Sequence, residues 1–473
     1  MVRSPVLSCH CALRLLQVFS NSKTWLYLEQ KLKIPAPPPQ QARADGLGEL
    51  LQRALTIGVA PWLASSQREY RPWDTFRFQT PPEGFTIEQW WHVVRMARRS
   101  AARPIPTLKD NSGQPFSFNL PDGVLEACDA VAREASGQIQ VSELVTDPDT
   151  RDRYVVNSLI EEAITSSQLE GAATSRRDAK DMIRAGRAPR DHSESMILNN
   201  YLAMQRVREL SEHPLSPDMV LELHRIVTDG TLENPEYAGK LQDRQNERVS
   251  VWGDGDQLLH SPPTVDELPE RLEALCAFAN AEDGGPYMPP VLRALTIHFM
   301  MGYDHYFEDG NGRTARVLFY WSMLREGYWL TEFLSISRIL RQAPSQYARS
   351  FLMTEDDRGD LTHFYIYHLG ILRRAIAQLH EYLGEKAREV RDVQSRLRGM
   401  PNEFNHRQLA VLEHAARNPQ AVFTAKSHGA SHRVTIETAR QDLQALEARG
   451  LLRRFKMSKQ FAWSPVDGLA DHI

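Results

Sequence analysis

Between Leu120 and Arg396 the chain reads almost without interruption as helix. Apolar residues recur three and four positions apart, as at Val155, Leu159, Ile160 and Ile164, which places them on one stripe of a helix over residues 152–169. The same period predicts helices over 122–135, 193–210, 216–228, 265–280, 290–303 and 312–324, and a long one over 361–396 with Gly384 as a candidate break. Such stripes must bury against one another, so the expected fold class is mainly α. Only between Gly239 and Pro262 does the helical period disappear. There Arg248-Val249-Ser250-Val251-Trp252 alternates and reaches Gly253-Asp254-Gly255, the pattern of a short strand and turn, one arm of a hairpin. That hairpin reads either as a covering loop or as a flap that positions a substrate.

The two ends differ from this core. Pro35-Ala36-Pro37-Pro38-Pro39 disfavours regular helix and reads as an extended arm. Residues 61–118 are rich in proline and aromatic side chains; a strand is predicted over 77–80 and a helix over 86–99, with Thr86 as its cap and Trp90 and Trp91 as packing residues. After Arg396, Gly399-Met400-Pro401-Asn402 marks a boundary. Helices follow over 405–416, 424–428 and 435–449, the last burying Ile436, Ala439, Leu443 and Leu446 and stopped by Gly450. Strands are predicted over 451–455 and 460–463, and three helices followed by a small hairpin match a winged helix. The expected organisation is an N-terminal extension with a small mixed domain over 1–119, a helical core domain over 120–397, and a winged helix over 398–473.

A net charge of -4 supplies no global field for nucleic acid or an anionic membrane and leaves only a local basic face. The cysteines Cys9, Cys11, Cys128 and Cys276 are too sparse for a disulfide framework, so a reducing, cytoplasmic setting is expected. Cys9-His10-Cys11 has no second cluster to complete a metal site. The apolar stretch 6–19 is too short to span a bilayer, is interrupted by His10, Arg14 and Gln17, and lacks a small-residue cleavage site; no membrane partner is expected.

The chemistry concentrates in His305-Tyr306-Phe307-Glu308-Asp309-Gly310-Asn311-Gly312-Arg313-Thr314-Ala315-Arg316, just past an apolar helix. An imidazole with a reference pKa near 6.5 can take a hydroxyl proton near neutrality. Asp309 offers a hard oxygen ligand for magnesium, completed by phosphate oxygens and water. Gly310 and Gly312 let backbone approach a phosphate, Asn311 tolerates turn dihedrals, and a helix starting near Gly312 points free amides at an anion. Arg313 and Arg316 lie one turn apart and can share a phosphate cavity. Phe307 reads as an anchor beneath the loop, whereas Tyr306 can pack or touch substrate. The contrary reading is an internally paired polar turn, Asp309 with Arg313. No Walker A lysine follows the glycines, and spacing alone does not separate phosphate transfer from nucleotide transfer.

This segment resembles the Fic-domain family, whose His-x-Phe-x-Asp-Gly-Asn-Gly-Arg-x-x-Arg signature it matches at every fixed position. The residue after the histidine is commonly proline in that family and is Tyr306 here. The resemblance covers about residues 152–382. It implies a protein adenylyltransferase: ATP is split and AMP passes to a serine, threonine or tyrosine hydroxyl of a target protein, with pyrophosphate leaving. His305 would deprotonate the hydroxyl, Asp309 would hold Mg2+, and Gly310, Asn311 and Gly312 would line the anion pocket. Arg313 would contact the β-phosphate and Arg316 the γ-phosphate. The stretch Val249, Ser250, Val251 and Trp252 looks like the family's target-positioning hairpin, which pairs with an extended substrate segment. Tyr347 corresponds either to a family aromatic near the nucleotide or to a packing tyrosine.

Upstream, Ser166-Ser167-Gln168-Leu169-Glu170-Gly171 reads by itself as a solvated glutamate at a helix end with a glycine stop. It also resembles the family's inhibitory Ser/Thr-x-x-x-Glu-Gly/Asn pattern. That implies that Glu170 pairs with Arg316 in the γ-phosphate space, that Ser166 supports the inhibitory helix and Gly171 ends it, and that transfer is low at rest. Relatives also imply AMP removal as an alternative activity and homodimer formation. The C-terminal module carries His428, His432, Arg433, Arg440, Arg449, Arg453, Arg454, Lys456 and Lys459, but also Glu437, Asp442 and Glu447. DNA contact and protein recruitment both stay open, and a nucleotide-sensing, DNA-binding regulator is a third reading of the whole chain.

Overall fold

The computed structural model describes residues 34–39, 44–136, 148–244, 248, 251–253, 257–399, 403–418, 421–457, 460–466 and 468–472. Cys9, Cys11, the stretch 6–19, Val249, Ser250 and Lys459 lie outside the described residues. The chain folds as two compact units, Met1–Gln138 with Asn157–Ile376, and Ile139–Val156 with Ala377–Ile473.

The first unit opens with helices α1 (Ala44–Ile57), α2 (Ala60–Glu69), α3 (Trp73–Phe76) and α4 (Ile87–Ala101). Thr86 caps α4 in a capping box with Gln89, and Trp90 and Trp91 are buried with Phe76, Phe85 and Val94 in a core of their own. The predicted strand at 77–80 is absent: α3 ends at Phe76 and a turn follows into Pro81-Pro82, which cannot donate to a ladder. The strands lie further on, as β1 (Arg103–Lys109) and β2 (Pro115–Phe118), an antiparallel hairpin.

Helices α5 (Asp122–Ser136), α6 (Pro148–Leu169), α7 (Arg176–Ala185), α8 (His192–Leu210) and α9 (Pro217–Thr228) follow. Ser175, Asp191 and Ser216 each cap a helix by accepting from the amide three residues on. A second hairpin, β3 (Val251–Gly253) with β4 (Gln257–His260), is antiparallel and pairs Val251 with His260, Trp252 with Leu258 and Gly253 with Gln257. Helix α10 (Leu268–Ala279) leads to α11 (Pro290–Asp304) and α12 (Asn311–Arg325). These two pack against each other, with α8 and α9 against α12. Neither is amphipathic in the usual sense: residues 311–323 are all buried, so α12 is a central helix wrapped by its neighbours. The unit continues through α13 (Ile336–Leu340), α14 (Pro344–Asp356) and the start of α15 (Thr362–Arg398), which runs through Gly384 without a break.

The second unit gathers α16 (His406–Arg417), β5 (Phe423–Thr424), α17 (Ala425–His432), α18 (Ile436–Ala448), β6 (Leu452–Met457), β7 (Gln460–Pro465) and α19 (Leu469–His472). Its sheet is antiparallel with β7 between β5 and β6. Val393 and Leu397 from α15 join Leu412, Leu443, Leu446, Leu452 and Trp463 in its core. Among the described residues, no helix is long and apolar enough to cross a membrane, and Cys128 and Cys276 are buried free thiols.

Candidate active site

Helix α11 stops at Asp304, and His305 turns the chain with a left-handed backbone, φ 51°. A residue with a Cβ resists that conformation by about 1–2 kcal/mol, so something must hold it. The Arg248 guanidinium does: Nη1 donates to the His305 carbonyl at 2.7 Å and Nη2 to the Asp304 carbonyl at 2.7 Å. Its Nε donates to the Pro263 carbonyl at 2.8 Å, and Nη1 also reaches the Gln242 side chain. The His305 ring is 3% exposed and hydrogen-bonded to the Gly302 backbone. Burial, then the charges of Arg248 and His260, push its pKa down to about 3, so the imidazole is neutral near pH 7.

The next residues are anchored from both sides. Tyr306 is fully buried and donates its hydroxyl to Asp304 at 2.7 Å, which assigns it to packing. Phe307 stacks on His224 with ring centroids 3.7 Å apart and planes within 6°. The amide of Phe307 donates to Asn311 Oδ1 at 3.0 Å, and Asn311 Nδ2 returns a bond to the Phe307 carbonyl at 2.7 Å. His224 Nδ1 accepts from the Gly239 amide at 3.0 Å, which leaves its Nε2–H to donate to the Asp309 carbonyl at 2.9 Å. Burial lowers its pKa to about 4, in keeping with that neutral tautomer.

Asp309 Oδ1 accepts from the Gly310 amide at 2.6 Å, and Oδ2 lies 3.3 Å from Arg313 Nη2. Arg313 is buried and also donates to the Val227 carbonyl at 3.1 Å, so its guanidinium braces Asp309 against α9. The Asp309 side chain keeps 27% exposure. Beside it, the Glu308 carboxyl is pushed up by burial and then by the negative charges of Glu233, Asp309 and Asp243. One partly accessible carboxylate, with Glu308, Glu233 and Asp243 adding negative charge nearby, fits a hard divalent cation whose remaining ligands are phosphate oxygens and water. Gly310, at φ 83°, precedes α12 as its N-cap.

Gly312, in the first turn of α12, faces Glu170. A Cβ there would lie 2.2 Å from Glu170 Oε1, so only glycine admits that carboxylate. Glu170 Oε1 accepts from Arg316 Nη2 at 2.8 Å, with the two side chains 6% and 2% exposed. Arg316 Nε donates to Ser166 Oγ at 2.7 Å and Nη2 to the Ser166 carbonyl at 3.1 Å. Burial works against the Arg316 charge, but Glu170, Tyr347 and Glu162 more than offset it and hold its pKa above the usual value. The Glu170 carboxylate thus stands where an anion at the helix N-terminus would stand. Gly171, at φ 93°, ends the segment.

The structure brings together His305, Asp309, Gly310, Asn311, Gly312, Arg313, Arg316, Ser166, Glu170 and Gly171 around the start of α12. Val251 and Trp252 lie in β3, whose partner strand ends at His260; His260 bonds the Tyr303 carbonyl at 2.8 Å and Glu355 at 2.9 Å. Sequence reading missed His224, Arg248 and Glu162. His224 looked like one more residue on a buried stripe, and Arg248 like an alternating strand residue. Glu162 lies two helical turns before Glu170, fully buried, and accepts from Ser335 Oγ at 2.9 Å and the Ser337 amide at 3.1 Å. Its i, i+4, i+8 spacing with Ser166 and Glu170 was the available signal.

Residues 214–323, which include the His305–Arg316 segment, match the family model described as Fic/DOC family. A protein adenylyltransferase fic-1 from Caenorhabditis briggsae is 31% identical over 149 residues, covering 31% of this chain and 27% of that protein. Its namesake from Caenorhabditis elegans is 30% identical over 149 residues, with the same coverage of 31% and 27%. The chain therefore spans about a quarter of the length of these curated relatives. A solved Fic family protein from Desulfovibrio desulfuricans G20 covers 74% of this chain and 97% of its own at 16% identity, with a TM-score of 0.47. Part of the chain, residues 214–323, is thus similar to the Fic/DOC family, and a stretch of about 149 residues is similar to known protein adenylyltransferases.

Proposed function

We propose that this protein transfers AMP from ATP to a serine, threonine or tyrosine hydroxyl of a target protein and that Glu170 restrains the transfer. The observation that carries the reading is the buried contact of Glu170 with both Arg316 and Gly312 at the start of α12, one loop away from a neutral His305. In the open site the triphosphate replaces the Glu170 carboxylate. The first-turn amides around Gly312 and the Arg316 guanidinium take up its negative charge, Arg316 at the γ-phosphate. Arg313 fixes Asp309, and through it the β-phosphate end. Mg2+ held by Asp309 would neutralise charge on the bridging phosphates. The target hydroxyl gives its proton to His305 as its oxygen bonds the α-phosphorus, and the bond to the β-phosphate oxygen breaks to release pyrophosphate. No covalent enzyme intermediate is needed; the chain's work is positioning and electrostatic stabilisation. The hairpin β3–β4 would align the target by strand pairing. Residues 398–473 are assigned as a winged helix, supported by the order β5–β7–β6 and the packing of α17 on α18.

The test is incubation of wild type, Glu170→Gly and Glu170→Gly/His305→Ala with labelled ATP and cell lysate, followed by mass spectrometry of acceptors. The expected adduct is one AMP, raised by Glu170→Gly and abolished by the added His305→Ala. Equal labelling of wild type and Glu170→Gly removes the restraint. Loss of AMP from a previously modified target in wild type assigns removal as the activity instead.

A further inference from the structure

The geometry points to a duplex-DNA binding surface on the second unit, formed by the outward face of α18, the start of α17, and β6. It is carried by how the charges of this unit are spent. The whole unit is near balance, with seventeen Lys and Arg against fifteen Asp and Glu, but its stretch 401–473 holds ten Lys and Arg against seven Asp and Glu, whereas the whole chain is at -4. The acidic residues of α18 are largely engaged elsewhere. Asp442 is buried and takes Arg407 Nε at 2.6 Å and Asn405 Nδ2 at 2.7 Å, tying α16 to α18. Glu447 accepts from the Trp463 indole at 2.8 Å and pairs with Arg454 at 3.4 Å. Glu437 stays on the outer face, matched by Arg440 at 2.5 Å.

Outward on α18 are the polar Glu437, Arg440, Gln441 and Gln444, spaced to share one face and all exposed, together with Ala445 and Ala448 and with Ile436, which at the first turn is 54% exposed and not buried as its place on the stripe predicts; Ala439, Leu443 and Leu446 bury the opposite side. Guanidinium and amide groups match guanine and adenine edges in a major groove, and an exposed, rigid helix is the element that groove admits. The helix is held rigidly. Gly429 of α17 lies where a side chain would meet the Val434 carbonyl at 3.2 Å, so α17 and α18 approach closely across the turn at Arg433. Thr424 and Thr435 cap the two helices. Lys426 at the start of α17, Arg433 in the turn, and Arg453 and Lys456 on the edge strand β6 are all exposed cations, suited to phosphates flanking the groove. Compensated acids and flanking cations favour DNA over a protein partner for this face. The inference is independent of AMP transfer.

Fluorescence anisotropy of the full chain with a labelled duplex tests it. Neutralising four phosphates gives a slope of log K against log salt of roughly -3.6, about a 150-fold loss for a fourfold rise in salt. The Lys426→Glu/Arg453→Glu/Lys456→Glu protein is expected to lose most of that slope and about all binding at moderate salt, with its circular dichroism unchanged. Gln441→Ala/Gln444→Ala should keep the slope and lose preference among sequences selected from a random pool. His305→Ala should bind as wild type does, which separates this inference from the fate of the transfer reading. No anisotropy change at low salt overturns the inference and leaves the face to a protein partner. Binding that survives the triple charge reversal overturns it too.

Discussion

Arg316 and Glu170 are each nearly inaccessible to water, and each is tolerable largely because of the other, with Ser166 and Glu162 supporting the arginine. Removing one member of such a pair strands a buried charge, at a cost of roughly 3–5 kcal/mol. Glu170→Gly is therefore expected to lower the melting temperature of the ligand-free protein, and ATP or tripolyphosphate to restore it by supplying a new anion. The same ligands should shift wild type far less, and equal shifts in a thermal melt would contradict the exchange of carboxylate for phosphate. Gly312→Ala sets up a second comparison. Its methyl would collide with Glu170, so it should destabilise wild type by several kcal/mol less the relaxation of that side chain, about 1–3 kcal/mol. In the Glu170→Gly background the same change should cost little, because the colliding atom is gone. Additive costs in urea titrations of the four proteins would break this link. The sequence made these residues legible because their types and spacing are chemical. Their partners were less so: nothing in a linear reading says that Arg313 spends one nitrogen on the Val227 carbonyl.

At the scale of elements, the loop from His305 to Gly310 is held from outside by one residue of the hairpin segment. Arg248 bonds the carbonyls at the end of α11 and the residues that flank the hairpin, and its charge helps depress the His305 pKa. Arg248→Ala is expected to raise that pKa from about 3, read by NMR titration of the imidazole nitrogens, and to cut transfer by Glu170→Gly protein roughly ten- to hundred-fold through misplacement of the base. An unchanged imidazole titration would remove Arg248 from this role. Helices were the legible elements, since an apolar stripe with a cap at Thr86, Ser216 or Asn405 is a local signal. The hairpin β1–β2 was not, because β1 carries Pro104 and Pro106 and its pairing is set by a turn and by α10 packed against it. Gly384 costs a helix about 1 kcal/mol, yet α15 continues through it, with Leu383, Val393 and Leu397 buried along its length.

Across the whole molecule, buried imidazoles and buried carboxyls pull the response to acid in opposite directions. Burial lowers His224 to about 4 and His305 and His368 to about 3, and holds His298 well below its usual value. The unfolded chain takes up these protons near pH 6.5, the folded chain only further down. The stability they protect is complete above about pH 6.5 and is lost as pH falls toward the folded values. Asp304, raised to about 6, and Asp356, raised to about 7, act with the opposite sign, since burial penalises their charged forms. Glu162 and Glu308, also raised by burial, and His260, whose burial is more than offset by Glu355 and the Tyr303 carbonyl so that its imidazole is raised, join the carboxyls. If these four depressed imidazoles dominate, the urea midpoint is lower at about pH 5 than at about pH 7. A midpoint that rises on acidification would mean that the carboxyls dominate. The change of pattern after Arg396 suggests a boundary at residue 398 within a three-part organisation, whereas the chain divides into two compact units, with residues from 377 onward and 139–156 in the second. Contacts between distant segments decide that membership, and they leave no mark on local periodicity.

The seat of Glu170 against Gly312 and Arg316 has a consequence for how such a site senses its surroundings. A tethered side chain competes with a dissolved ligand through its effective concentration, about millimolar or higher for a short connection. A rise in free nucleotide within an ordinary range then does little to displace it. Under the proposed restraint, loosening α6 by even a turn would lower that effective concentration at once and let the site fill from nucleotide already present. The protein on this reading is tuned to mechanical events at one helix, and the supply of ATP is merely permissive.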